Sequence, residues 1–207
     1  SIPQLDELFS DLFDAVDSGE SHFFGTLIIQ NEEDSPNGTV VDGQQRLTSI
    51  FLLVSALRDE IHNLDQTEIA ASDAELMPIN VLSEVNAFLF STNKFSDQRF
   101  QSNRGIRPIL RDSVISPPKL GDRARPDLPT SPDSRTQSFL RATKHVRQEV
   151  ADDLKFYESS EDKLKRIYLL FRGVSDQFKV LRLVTNDLSE SLEIFLTLNN
   201  RGLPLGP

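Results

Sequence analysis

Five consecutive residues, reading DGQQR, occupy positions 42 to 46 between an apolar strand-like segment and a long apolar helix-like segment, and four of the five have polar side chains. The first backbone N–H groups of a helix lack partners within it, and the helix dipole favours negative charge there. Gly43 lets an anion approach the backbone, and Arg46 supplies a fork of donors for phosphate oxygens. Asp42 can hold Mg²⁺ or orient a water molecule, whereas Gln44 and Gln45 can hydrogen-bond a phosphate, sugar or base. The pattern therefore predicts a phosphate-binding site.

The same residues fit a structural alternative. Asp42 as the N-cap residue, with Gln45 three positions later, is close to a capping box, which would make this segment only a well-built helix start. Two adjacent glutamines and an arginine are more than capping requires at the foot of so apolar a helix. That excess favours the phosphate site, although the alternative stays open.

Hydropathy periodicity and turn residues predict the elements that position this motif. Helices are predicted over 5–16, 44–64, 137–157, 161–174 and 188–198, strands over 22–30, 39–41 and 178–184, a helix or extended segment over 78–90, and a short strand over 106–110. This order predicts an α+β fold, with a small mixed β-sheet packed with helices plus a helical subdomain. We expect a core over residues 1–112, a Pro-rich loop or insertion over 113–135, and a helical region over 136–207 with one strand returning to the core.

Composition excludes several classes of protein. The 207 residues include no cysteine, which excludes disulfide scaffolds and thiolate metal sites. The longest apolar run, over 50–56, is far shorter than the roughly 20 residues that span a bilayer, and no secretory signal opens the chain. We therefore expect a cytoplasmic protein without a membrane partner. The three histidines show no metal-ligand spacing, and no Walker-type loop or His-Asn-His constellation is present.

Charge is distributed unevenly along the chain. The formal net charge is −10, and the first 45 residues contain neither lysine nor arginine. Basic residues concentrate between positions 94 and 147, where Arg104, Arg107 and Arg111 follow one another closely. Such a cluster can neutralise DNA phosphates, so we predict that these three arginines bind DNA. The alternative is that they only solvate a loop and a helix.

Two motifs, about 150 residues apart, carry a family resemblance. The string VVDGQQRLTSIFLLVSAL follows HFFGTLIIQ, and LEIFLTLNNRGLPL comes near the end of the chain. The later string contains an F-x-x-L-N-x-x-G-x-x-L motif formed by Phe195, Leu198, Asn199, Gly202 and Leu205. Together they resemble the N-terminal domain family of GmrSD-type (type IV) modification-dependent restriction enzymes and related phage-defence proteins, whose fold is related to ParB and sulfiredoxin.

The resemblance implies a nucleoside triphosphatase that couples hydrolysis to the sensing of modified double-stranded DNA. It implies that Mg²⁺ and a nucleoside triphosphate, with GTP or UTP favoured over ATP, bind at the DGQQR segment. The expected catalytic residues are Asp42, Gln45 and Arg46, with Asp42 as the metal ligand. The expected nucleotide-binding residues are Asp42, Gly43, Gln44, Gln45, Arg46, Asn199 and Arg201. An Asn-Asn-Arg-Gly helix end is also an ordinary C-cap, so Asn199 and Arg201 keep that alternative.

The resemblance also sets expectations beyond this site. DNA would be cut by an HNH-type nuclease domain that follows in the chain or belongs to a partner, and we expect a homodimer. Family members open with a motif like I-P-x-x-Q-R-x-Y-x-W, whereas residues 1–4 here read SIPQ and lead directly into the first helix. A sensor loop is therefore expected to be missing or degenerate. The alternative function is a nucleotide switch, or a DNA-binding or oligomerisation module, without turnover.

Overall fold

A computed structural model describes residues 2–31, 38–69, 76–91, 99–101, 105–116, 128, 130 and 133–200. The helices are α1 (Ile2–Ser18), α2 (Gln44–Asn63), α3 (Pro78–Leu89), α4 (Arg107–Ile109), α5 (Ser134–Leu154), α6 (Ser160–Arg172) and α7 (Leu188–Asn200). The strands are β1 (His22–Asn31), β2 (Gly38–Asp42) and β3 (Phe178–Thr185). A 3₁₀ turn (Gln66–Glu68) and two π-helical turns (Leu110–Ile115 and Gly173–Gln177) complete the described elements. The predicted α+β class, with a small sheet packed with helices, is confirmed.

The three strands form one mixed sheet in the order β2-β1-β3. β1 pairs antiparallel with β2, bringing Ile28 opposite Asp42, and parallel with β3, from His22 opposite Phe178 to Gln30 opposite Thr185. A parallel partner requires a long crossover, which the intervening helices provide. β1 is therefore the central strand, and Leu27 and Ile28 of this strand are buried.

Helix α2 is the centre of the core. Every residue from 50 to 59 on this helix is buried, including the polar Ser55, Arg58 and Asp59. α3, α5 and α6 pack around it. A helix that is apolar on nearly all sides needs such enclosure, so the chain immediately after the DGQQR motif is held firmly by the core.

The prediction of a short strand over 106–110 is wrong. The segment is helical: α4 has a proline in its first turn and leads into the π-helical turn. The proline favours this geometry, because its fixed φ suits the first turn of a helix and it lacks the N–H that a strand ladder uses. At the end of the π-helical turn, the Arg58 side chain has no exposed surface and donates to the carbonyls of Val114, Ile115 and Ser116. Its guanidinium also pairs with the Asp59 carboxylate at 2.8 Å. Extended backbone would direct successive carbonyls away from this single group.

The segment predicted as a helix or extended chain over 78–90 is the helix α3, with a proline in its first turn. Most of the predicted Pro-rich loop, including 117–127, lies outside the described residues. Within the described ranges, none of the helices combines the length and apolar character needed to cross a membrane.

Replacing Arg58 with methionine should destabilise the fold strongly. The change leaves three carbonyls and the Asp59 carboxylate without their buried cation, so the free energy of unfolding should fall by about 3–5 kcal/mol. Urea denaturation measures this value. Arg111→Met is the control, since its guanidinium is exposed and its loss should change stability by less than about 0.5 kcal/mol. Similar losses in both variants would contradict the structural role of Arg58.

Candidate functional site

A single residue, Gly43, joins β2 to α2. Its backbone is left-handed, with φ 93° and ψ 6°. A Cβ atom there would lie 2.3 Å from Leu27 Cδ2 and 3.2 Å from the Thr26 carbonyl oxygen, both on the neighbouring strand β1. The left-handed conformation and the close approach together favour glycine at this position. The turn is therefore fixed against the centre of the sheet.

The first turn of α2 is not capped as a capping box would require. The N-cap residue is Gly43, which has no side chain to accept from the helix amides. The Asp42 carboxylate, at the end of β2, instead lies 3.6 Å from the Arg46 guanidinium and forms an ion pair with it. The capping-box alternative is therefore wrong for Asp42 and Gln45. The positive end of the α2 dipole remains available to an anion.

Arg46 lies across strand β1. Its Nη1 donates to the Thr26 carbonyl at 2.8 Å. The guanidinium fits there because Gly25, with φ 112°, has no side chain: a Cβ would lie 3.0 Å from Arg46 Nε. The β1–β3 register also shifts between Phe23 and Gly25, as at a β-bulge, a feature that commonly re-aims side chains beside active sites. Both contacts of Arg46 use Nη1, so Nη2 has no acceptor among the described residues.

The two glutamines have different surroundings. Gln44 Nε2 donates to the Val40 carbonyl at 2.7 Å, so its amide closes the strand-to-helix turn. The exposed Gln45 side chain makes no hydrogen bond to the described part of the chain. Gln45 is therefore the glutamine whose amide can meet a ligand directly, whereas Gln44 stabilises the turn.

A cavity of about 940 Å³ opens over this turn. It is large enough for a nucleotide-sized ligand. Its walls come from α1, β1, the end of β2, the start of α2 and one residue of α7. The lining residues are Gln4, Glu7, Leu8, Asp11, His22, Phe23, Phe24, Val41, Asp42, Gly43, Gln44, Gln45, Arg46, Ser49 and Phe195.

The cavity carries charges of both signs. Arg46 supplies a positively charged guanidinium to the cavity wall. Three carboxylates also line the cavity, from Glu7, Asp11 and Asp42. A bare polyphosphate would be repelled by three carboxylates, but a divalent cation would offset that repulsion. The arrangement favours a cation-bridged anion over a free one.

The structure adds a histidine–aspartate pair that the sequence analysis missed. His22 Nε2 lies 3.2 Å from the Asp11 carboxylate, and the His22 ring contacts the Phe178 ring with centroids 5.5 Å apart. Asp11 comes from α1, and both residues line the cavity. Neither belongs to the DGQQR motif. One sequence feature could have pointed to His22: it is the first residue of a strand predicted to lead toward the DGQQR motif.

The predicted second motif reaches the site through α7. Phe195, its first residue, lines the cavity. Asn199 lies in the last turn of α7, but the structure does not describe its side chain. Arg104 and Arg201 lie outside the described residues. The nucleotide contacts predicted for Asn199 and Arg201 stay predictions.

The described members of the predicted DNA-binding cluster lie at α4 and the π-helical turn that follows it. Arg107 is exposed. Arg111 is also exposed but makes two hydrogen bonds to the Asp112 carboxylate, at 2.6 and 2.9 Å, which hold the pKa of Asp112 below its usual value. Part of the Arg111 charge is thus compensated locally. Neither residue lines the cavity, so DNA contact there stays a separate prediction.

One group of metal-type ligands occurs in the described chain. Asp6, His145 and Glu149 bring one ligand atom each within 4.8 Å of one another. His145 Nε2 already bonds the Asp6 carboxylate at 2.6 Å, and the group lies outside the cavity. It gives α1 and α5 a polar contact.

The family of the chain follows from comparison with known proteins. The model of the GmrSD restriction endonuclease N-terminal domain matches residues 1–207. The chain belongs to this family. A comparison with curated proteins finds no match. The GmrSD N-terminal family places the cavity in a module of a restriction or defence protein, a class that interacts with DNA and works with a nuclease domain.

Gly43→Ala should cost more stability than Gly19→Ala. Both glycines are left-handed, with φ 93° and 71°, but a Cβ at Gly19 meets no atom within 4 Å. Gly19→Ala should therefore cost only the conformational strain, about 1–2 kcal/mol. Gly43→Ala adds the overlap with Leu27 and should cost about 1–3 kcal/mol more. Chemical denaturation of both variants measures the difference, and equal losses would contradict the close approach of the turn to β1.

Proposed function

We propose that this GmrSD N-terminal domain binds a nucleoside triphosphate in the cavity and hydrolyses it, and that hydrolysis gates a nuclease domain. The single observation that carries the proposal is the pairing of an uncapped helix start with a guanidinium fixed beside it. An uncapped helix start binds anions through its amides and dipole, and a guanidinium adds oriented donors. Gly43 provides the first and Arg46 the second.

Arg46 is suited to phosphate because it is already oriented. One nitrogen is held by Thr26 and Asp42, and the other terminal nitrogen has no acceptor among the described residues. A guanidinium held in place loses little freedom on binding, so its remaining donors can stabilise charge that develops on the phosphoryl oxygens. In this proposal Gln45 contacts the phosphates or the sugar.

Mg²⁺ fits the residues that are present. Magnesium in nucleotide sites usually binds through one or two carboxylates together with phosphate oxygens and water. Asp42 offers a carboxylate that is 31% exposed, lies in the cavity and is directly before the anion-binding turn. Bound there, Mg²⁺ would neutralise phosphate charge beside three carboxylates. GTP or UTP is the nucleotide that we propose.

The DNA-dependent part of the function belongs to the whole assembly. We place modified double-stranded DNA on a surface that includes Arg107 and Arg111, with an HNH-type nuclease domain in the same chain or a partner and a homodimeric arrangement. A switch that holds nucleotide without turnover uses the same cavity. Nucleotide recovered unhydrolysed after it has raised the melting temperature would favour that alternative.

Phosphate release from GTP, UTP, CTP and ATP by wild type and Arg46→Ala tests the proposal. Removal of a preorganised donor to phosphoryl oxygens should lower kcat about 100-fold or more. Arg172→Ala is the control, since it removes an exposed guanidinium that is not in the cavity. Equal phosphate release by wild type and Arg46→Ala would contradict the assignment of the site.

Charge reversal tests the DNA surface. Arg107 and Arg141 are both exposed arginines, on α4 and α5 respectively. Arg107→Glu should weaken duplex DNA binding in low salt for every sequence and flatten the dependence of log Kd on log salt concentration by about one unit or more. Arg141→Glu is the matched control. Fluorescence anisotropy gives both values, and unchanged binding by Arg107→Glu would contradict DNA contact at α4.

A further inference from the structure

The cavity holds a second constellation besides the DGQQR turn. We propose that His22 is the general base of nucleotide hydrolysis and that Asp11 is its positioning residue. This inference rests on the proposed hydrolysis of a nucleoside triphosphate, and it adds the group that accepts the proton from the attacking water.

The His22 ring is held from two directions. Its Nε2 lies 3.2 Å from the Asp11 carboxylate, and its ring contacts Phe178, which in turn stacks on Phe24 with centroids 5.0 Å apart. In a neutral imidazole one nitrogen donates and the other accepts. An Nε2–H donated to Asp11 leaves the lone pair on Nδ1. Nδ1 has no partner among the described residues, so it can accept a proton.

His22 is within reach of a ligand held by Arg46. Gly25, whose missing side chain accommodates the guanidinium, follows His22 by three residues, about 10 Å along an extended strand. The His22 and Arg46 side chains line the same cavity. A triphosphate that starts at the α2 amides and extends along β1 brings its terminal phosphoryl group toward His22.

The only reactants consumed in the step that we propose are water and the nucleotide. His22 Nδ1 takes one proton from a water molecule as the water oxygen forms a bond to the terminal phosphorus. The bond between that phosphorus and the bridging oxygen breaks, and its electron pair leaves with the nucleoside diphosphate. Inorganic phosphate is the second product, and the imidazolium then returns its proton to solvent. Asp11 holds the ring and stabilises the imidazolium.

The chain contains a matched pair for comparison. His145 and Asp6 form a second histidine–aspartate contact, at 2.6 Å, which also joins α1 to another element. Neither residue lines the cavity. A merely structural role for His22 and Asp11 predicts that both pairs respond alike to substitution, whereas a role in proton transfer predicts that only the cavity pair affects turnover.

The experiment measures kcat, KM and nucleotide affinity for the full chain with the nucleotide that the wild type hydrolyses fastest. His22→Ala and His22→Gln should lower kcat about 100-fold or more with little change in affinity. Glutamine keeps a donor for Asp11 but offers no basic nitrogen, so it separates folding from chemistry. Asp11→Asn should lower kcat with KM retained. Added imidazole should restore part of the activity of His22→Ala but not of Asp11→Asn.

The controls are His145→Ala and Asp6→Asn, which should turn over nucleotide at the wild-type rate. His22 variants within about threefold of the wild-type kcat would overturn the inference. Equal losses in the two pairs, or no rescue by imidazole, would also overturn it. Failure of the proposed function is distinct: there, the wild type itself releases no phosphate, whereas failure of this inference alone leaves an active wild type, an inactive Arg46→Ala and an active His22→Ala.

Discussion

The structure of the site depends on one contact, the Arg46 guanidinium seated on the Thr26 carbonyl in the space left by Gly25. It ties the first turn of α2 to the central strand. The same strand approaches Gly43 closely enough to disfavour any larger residue there, and Asp42 pairs with the same guanidinium at 3.6 Å. Helix start, turn and cation are thereby set as one rigid unit on the buried core.

Much of this arrangement can be predicted from the sequence because its determinants are local. The apolar run after Arg46 predicts a buried helix, and β-branched segments before it predict the hairpin that delivers Asp42. A motif of five consecutive residues keeps its members together in any fold, so their shared position at the turn needs no tertiary information. The parallel pairing of β3 with β1 agrees with the predicted mixed sheet.

What the sequence could not show depends on distant partners. Asp11 and His22 lie on different elements, and only the packing of α1 beside β1 brings them together. The conformation at the end of the π-helical turn depends on Arg58, more than 50 positions earlier in the chain, whose guanidinium donates to the carbonyls of Val114 and Ser116 in a contact that no local pattern reveals. The capping-box interpretation is wrong because a left-handed Gly43 occupies the N-cap position that the spacing assigned to Asp42.

A crystal structure of the full chain with Mg²⁺ and a non-hydrolysable nucleoside triphosphate analogue tests the central claim most directly. The account predicts phosphate oxygens within hydrogen-bonding distance of the Arg46 guanidinium and of the first amides of α2, with Gly25 and Gly43 unmoved. Density for the analogue elsewhere, with the α2 amides bound only to protein or water, would contradict it.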